Sequence, residues 1–216
     1  MRLVLASASP RRAELLRAAG FEFETLVVDV DESVRPGERA EDYVRRLAME
    51  KSARAMEILT EESPAIRLRA PSALRRDLAE ARRRREAGSH VLVLGADTAV
   101  VIDGDILGKP RDDRDAASML RRLSGRPHQV MTGVSLRGQE WEASRVETTT
   151  VEFSPLGPAD IAWYVESGEG RDKAGAYAIQ GLASRFIPRV EGSYSNVVGL
   201  PMSVVHELLA GIASRP

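Results

Sequence analysis

Leu3-Val-Leu-Ala-Ser-Ala-Ser-Pro-Arg-Arg-Ala-Glu-Leu-Leu16 passes from an apolar run through two serines and a proline into a helical pattern. Residues 3–6 predict a short buried strand that feeds a helix starting at Pro10. Ser9 is suited to the N-cap, and proline suits the first helical position because its missing N–H has no intrahelical partner there. The first turn of that helix carries partial positive charge, Arg11 and Arg12 add two formal charges, and Ser7 and Ser9 place hydroxyls on the connecting loop. A strand delivering such a loop makes an anion site. Taken alone, so short a motif reads rather as an ordinary capped helix with two solvated arginines.

Outward from this stretch, strands and helices alternate, as expected of one α/β unit. Residues 21–28 predict a second strand, 29–37 a polar loop with Asp29, Asp31 and Glu32, and 40–56 a helix. Lys51 lies four residues after Leu47 and seven after Val44, on that helix's inward seam. Its stem could pack while the ammonium reaches solvent, or the charge could be aimed at an anion in a cleft. Val91-Leu-Val-Leu-Gly-Ala-Asp-Thr-Ala-Val-Val101 is the strongest buried-strand signal, broken by Asp97 and Thr98. A carboxylate there is costly unless paired, hydrogen-bonded or metal-bound. A polar pair at the end or bend of a core strand is where sheet proteins place chemistry. Asp103-Gly104 predicts a tight turn bringing Leu107-Gly-Lys-Pro110 back beside the strand, followed by a helix at 113–123, paired strands at 129–136 and 144–153, and helices at 160–167 and near the end.

With 31 Lys and Arg against 32 Asp and Glu, the chain has no global field to recruit nucleic acid or an anionic membrane. It has no cysteine, which excludes disulfides and thiolate chemistry, and its three histidines are too scattered for a zinc site. No apolar run approaches a membrane span and no signal-peptide pattern opens the chain, so a cytoplasmic protein is expected. Residues 67–86 hold eight arginines against three acidic residues. The segment at about 61–89 therefore reads as a solvated surface insertion. Nucleic-acid contact there is disfavoured because the aromatics that stack bases are missing. Gly104 to Lys109 fails as a phosphate-binding P-loop: three residues separate the glycines, and Pro110 stands where Ser or Thr is needed.

Ser7, Arg11, Arg12, Glu32, Lys51, Asp97, Thr98, Lys109, Asp172, Lys173 and Gln180 are the polar positions that resist a core explanation. Cations at a helix N-terminus suit a polyphosphate, and carboxylates suit Mg²⁺ or Mn²⁺ and activation of water. With no cysteine and no serine nucleophile with a convincing histidine partner, direct attack by water is favoured. The residues alone lead to a metal-assisted hydrolase of a phosphorylated small molecule.

Six blocks then occur in order: Ser7-Ala-Ser-Pro-Arg-Arg12, Gly95-Ala-Asp-Thr98, Leu107-Gly-Lys-Pro110, Met131-Thr-Gly133, Asp172-Lys-Ala-Gly-Ala-Tyr-Ala-Ile-Gln-Gly181 and Gly192-Ser-Tyr-Ser-Asn-Val-Val-Gly-Leu-Pro201. In this the chain resembles the Maf family of nucleoside-triphosphate pyrophosphatases, whose early members were described as septum-formation inhibitors. The resemblance covers nearly the whole chain. It implies a single α/β domain over 1–216, with a mixed elongated sheet and flanking helices forming two lobes around a central cleft (Maf / inosine-triphosphatase-like), and a homodimer. It also implies hydrolysis of a nucleoside triphosphate to monophosphate and pyrophosphate with Mg²⁺ or Mn²⁺. Carried onto this sequence, Asp97 is the general base, with Lys109, Lys51 and Glu32 as its catalytic company. Ser7, Arg11, Arg12, Thr98 and Gln180 meet the substrate, and Glu32 and Asp97 hold the metal. Arg-Arg after the proline and the Gly-Ala-Tyr-x-Ile-Gln-Gly block resemble the branch acting on dTTP and UTP. Whether Asp97 serves as base, ligand or both stays open. The alternative is a nucleotide-binding regulator of septum formation with little turnover.

Overall fold

The computed structural model describes residues 1–65 and 91–213. The Arg-rich segment at 67–86, and with it most of the expected insertion, lies outside the described residues. In chain order the elements are β1 (Arg2–Ala6), α1 (Pro10–Ala18), β2 (Glu24–Thr25), α2 (Ala40–Ala65), β3 (Val91–Ile102), β4 (Asp105–Leu107) and α3 (Asp113–Leu123). They continue with β5 (Pro127–Arg137), β6 (Glu142–Glu152), α4 (Pro158–Glu166), two 3₁₀ turns (Ala174–Ala176 and Leu182–Phe186), β7 (Arg189–Glu191), α5 (Tyr194–Val198) and α6 (Met202–Ala213). The fold is mixed α/β. Its sheet runs β2-β1-β3-β5-β6-β7, with β4 on the free part of β3, and only the β2-β1-β3 pairings are parallel.

β3 and β5, of 12 and 11 residues, are long enough to serve two cores. One core gathers Leu3, Leu5, Leu16, Leu92, Leu94, Val134, Leu136, Leu200 and Val205, under α1 and α6. The other gathers Val100, Leu107, Leu120, Leu123, Phe153, Ile161, Tyr164, Tyr177 and Phe186, under α3 and α4. These are the two lobes. A third element, α2, lies along the opposite face, with Val44 and Leu47 packed on Ala99. Its approach is unusually close. A Cβ added at Gly95 would stand 2.2 Å from the Ala48 carbonyl oxygen, and one at Gly133 2.2 Å from that of Val44. Glycine at these two strand positions lets the helix backbone sit on the sheet.

Two boundaries differ from the sequence expectation. The strand expected at 21–28 shrinks to Glu24–Thr25, since only Val4 and Leu5 of β1 pair with it; Phe21 and Phe23 pack on the core from outside any strand. The helix expected at 40–56 runs on to Ala65, because helix-forming residues continue after the apolar spacing ends.

His128 is buried, with Nε2 2.8 Å from the Tyr177 hydroxyl and edge-on contacts to Phe153 and Tyr177. Burial pushes its pKa down to about 4. In the unfolded chain the imidazole titrates near its ordinary 6.5, so between these values the unfolded state binds the extra proton and stability falls as pH falls. The expected loss from this residue between pH 7 and 4 is about 3 kcal/mol. Denaturant titrations of wild type and His128→Gln across that range should show their stability gap closing by this amount; a constant gap would refute it.

Candidate active site

β3 has two different neighbours along one edge. β1 pairs with it in parallel up to Ala6↔Gly95, and β4 pairs antiparallel only from Val100↔Leu107 onward. Residues 96–99 lie between, so the sheet is notched there while β5 continues to pair on the other edge, with Asp97 opposite Gly133. The sequence placed Asp97 and Thr98 at a strand's end or bend. β3 in fact runs straight through them; it is the neighbouring strands that stop. Around the notch lies a cleft of about 480 Å³ lined by Ser7, Arg11, Arg12, Glu32, Lys51, Asp97, Thr98, Lys109 and Gln180, and also by Asp172 and Lys173. All nine site residues taken from the sequence contribute to the lining of this cleft.

Strand alternation sends Asp97 and Thr98 to opposite faces of the sheet. Asp97 meets α2: its Oδ1 accepts a hydrogen bond from Lys51 Nζ at 2.7 Å, and both side chains are 10% exposed. The same Nζ donates to Glu32 Oε1 at 2.6 Å. Gly95 makes this possible, since it lies beside Ala48 and Ser52, the turn of α2 that carries Lys51. An ammonium between two carboxylates offsets the cost of burying the Lys51 and Asp97 charges, Glu32 being half-exposed, and among the described residues its third N–H has no partner. Burial pushes the Glu32 pKa up, but the bond and charge of Lys51, with Lys109 and Arg12, outweigh it, so the carboxyl is held below its ordinary value. Nearby, burial and the charges of Asp97 and Glu32 push the Tyr43 hydroxyl up to about 12.

Glu32 stands on the loop between β2 and α2, and α2 fixes that loop. The Tyr43 hydroxyl donates to the Glu32 carbonyl at 3.0 Å. Arg46 donates to Glu38 Oε1 and Oε2 at 2.6 and 2.8 Å and to the Ser33 carbonyl at 3.0 Å. Neither residue was singled out from the sequence. The available signal was their i,i+3 spacing, which sets the two side by side on one face of α2.

On the other face, Arg12 is buried and spends its guanidinium inside the protein. Nε donates to the Gly199 carbonyl at 2.8 Å, Nη1 to the Ala96 carbonyl at 2.7 Å and to Ser7 Oγ at 3.2 Å, and Nη2 to Thr98 Oγ1 at 3.0 Å. It thereby satisfies a β3 carbonyl in the notch and ties α1 to the turn before α6. Thr98 Oγ1 also lies 3.0 Å from Thr132 Oγ1. Arg12 and Thr98 thus build the wall, while the half-exposed Arg11 is the arginine that presents an uncommitted charge to the cleft. Ser9 occupies the N-cap of α1 without a side-chain cap bond, so its hydroxyl leaves the Arg11 and Arg12 N–H groups uncapped beside the cleft. Lys109 is exposed on the loop after β4, which is anchored by Gly175 N–H to the Gly108 carbonyl at 3.1 Å. Lys173 pairs with its neighbour Asp172. Gln180 is exposed on a turn closed by Gly181 N–H to the Ala178 carbonyl at 3.2 Å.

The cleft can therefore take an elongated anion, with a helix N-terminus, Arg11 and Lys109 for its charge, an ionised Glu32 beside the Lys51–Asp97 pair, and an amide at Gln180 for hydrogen-bond readout. Among the described residues no helix is long and apolar enough to cross a membrane.

A family model described as Maf-like protein matches residues 2–212. The dTTP/UTP pyrophosphatase of Anaeromyxobacter sp. (strain Fw109-5) is 49% identical over 213 residues, covering 96% of this chain and 88% of that protein. The dTTP/UTP pyrophosphatase of Hahella chejuensis is 47% identical over 201 residues, with 93% and 87% covered. That of Shewanella oneidensis is 45% identical over 216 residues, with 97% of both covered. Among solved structures, the Ham1 protein of Staphylococcus aureus matches at 14% identity and a TM-score of 0.45, over 98% of this chain and 99% of that one.

Proposed function

This chain belongs to the Maf family, and from that premise we propose that it hydrolyses dTTP and UTP to the monophosphate and pyrophosphate by attack of water at the α-phosphorus. The observation that carries the reading is the buried Asp97–Lys51 pair at the notch, joined by the half-exposed Glu32 and facing a cleft with uncommitted cations. Asp97 takes a proton from the attacking water, a role for which a carboxylate held in one orientation is suited. Lys51 fixes that orientation and offers its remaining N–H to a phosphate oxygen. Arg11, Lys109 and the N–H groups of α1 hold the triphosphate and stabilise charge on departing pyrophosphate. Gln180, with both donors and an acceptor, reads the carbonyl and N–H edge that thymine and uracil share.

A divalent cation, Mg²⁺ or Mn²⁺, fits the donor set. Lys51 Nζ takes only Glu32 Oε1 and Asp97 Oδ1, so Glu32 Oε2 and Asp97 Oδ2 are the oxygens that would hold the cation, and a hard cation needs only one or two carboxylates when substrate phosphates and water complete its shell. Among the described residues no group of three or more His, Cys, Asp and Glu could hold a metal. When bound, the cation supplies positive charge against the triphosphate oxygens. A homodimer working in the cytoplasm is the setting this reading carries, by the same family resemblance.

The test is a panel of nucleoside triphosphates with Mg²⁺ or Mn²⁺, scoring monophosphate and pyrophosphate separately. Turnover of dTTP and UTP, with pyrophosphate as the released product, is expected. Orthophosphate with a diphosphate would place attack at another phosphorus. Tight binding without turnover would make the chain a nucleotide-binding regulator.

A further inference from the structure

The turn that presents Gln180 is held from behind by two residues outside the cleft lining. Tyr164, on the buried face of α4, donates its hydroxyl to Glu169 Oε2 at 2.8 Å and accepts from the Ala178 N–H at 3.1 Å. Glu169 Oε1 accepts from the Leu182 N–H at 2.9 Å, and Oε2 from the Ala183 N–H at 3.4 Å. The two side chains thus grip the backbone immediately before and immediately after residues 179–181. Gly181 is what lets the carboxylate in, since a Cβ there would stand 1.8 Å from Glu169 Oε1. Between the grips, Ile179 is buried in the second core and Gln180 is exposed to the cleft. Glu169 itself is set by the turn after α4, where the Ser167 hydroxyl donates to the Tyr164 carbonyl at 2.5 Å and accepts from the Glu169 N–H at 3.3 Å.

We propose that Tyr164 and Glu169 are positioning residues for nucleobase selection, acting through the placement of Gln180. The proposal rests on Gln180 reading the base. A side chain can discriminate pyrimidine edges only if its amide is held to within a fraction of an ångström, and an exposed turn with no support behind it would not do this. The clasp fastens the turn to α4, at the centre of the second lobe, so the orientation of Gln180 follows that lobe's core and not solvent fluctuation.

The experiment compares kcat and KM for dTTP, UTP, dCTP and dGTP in the full chain and in Tyr164→Phe, Glu169→Gln, Gln180→Ala and the double variant Tyr164→Phe/Gln180→Ala. Gln180→Ala is expected to cut the preference for dTTP over dCTP by about tenfold or more, the scale of a lost polar readout. Tyr164→Phe and Glu169→Gln should each reduce the same ratio roughly severalfold, mainly through KM for dTTP, with kcat retained. In the Gln180→Ala background Tyr164→Phe should move the ratio no further. If the clasp variants slow all four nucleotides by one common factor, or shift the ratio equally with and without Gln180, the clasp is structural only and the proposal fails. If Gln180→Ala leaves the ratio unmoved, the base-reading role of Gln180 fails and the proposal with it. Glu169→Asp, which keeps the charge but shortens the reach, serves if Glu169→Gln does not fold, and is expected to lower the ratio as Glu169→Gln does.

Discussion

Asp97→Asn should lower turnover of dTTP by about two orders of magnitude or more while leaving the fold in place, because the amide cannot accept the proton of the attacking water. The substitution is isosteric, and β3 keeps its pairing with β5 through backbone groups alone. Lys51 loses one of its two carboxylates and keeps Glu32, so its charge stays partnered. Removing a negative charge from a cleft that holds a polyphosphate does not weaken the electrostatic attraction for it, and KM should change far less than kcat. Steady-state kinetics with product analysis, alongside a melting curve, reads all three quantities. Turnover within tenfold of wild type would move the general-base role to another group.

The second large effect comes from a residue with no side chain. Gly95→Ala places a methyl carbon 2.2 Å from the Ala48 carbonyl oxygen and 2.9 Å from the Ser52 amide nitrogen. Neither backbone atom can yield by a rotamer change, so α2 must lift from the sheet by about 1 Å, a strain of the kind that costs about 3 kcal/mol. For a chain of this size that is a fall in Tm of roughly 10 °C. Lys51 rides on the turn of α2 that must move, so its contact with Asp97 should open and kcat fall with the stability. Gly133→Ala is the comparison: its clash is with Val44, about two turns from Lys51. It should cost similar stability with a smaller loss of activity at a temperature where both variants remain folded. A Gly95→Ala protein as stable and active as wild type would show that the close approach is not required.

Much of this architecture could be read from the residues, and the exceptions have identifiable causes. β3 was legible because apolar runs on both sides of Asp97 and Thr98 can only be a buried strand or helix interior, and their β-branched residues and flanking turn decide between them. α3 was legible from Ala116, Met119, Leu120 and Leu123, all buried as their spacing implies. The notch was not, because where β1 ends and β4 begins depends on pairing between distant segments, and no local pattern records it. For the same reason the gathering of the nine site residues could be named only through ordered motifs. The division of labour between Arg11 and Arg12 was illegible outright. The two are adjacent and chemically identical, yet α1 rotates one towards the cleft and buries the other against Ala96 and Gly199. Spacing says that a cation is present; it does not say whether a ligand or a carbonyl will meet it.

The guanidinium of Arg12 also bears on the order in which the molecule can be assembled. It joins a residue near the start of the chain to Gly199, 187 positions later, and β1 pairs with a strand nearly ninety residues downstream. Contacts of such long sequence separation close late, after local helices and hairpins such as β5–β6 have formed. The loop at the mouth of the cleft therefore precedes the segments that complete it, and acquires its final shape only after they have followed. Until α6 and the turn before it have been synthesised, the chain can hold a formed β5–β6 hairpin and still lack a completed substrate-gripping wall.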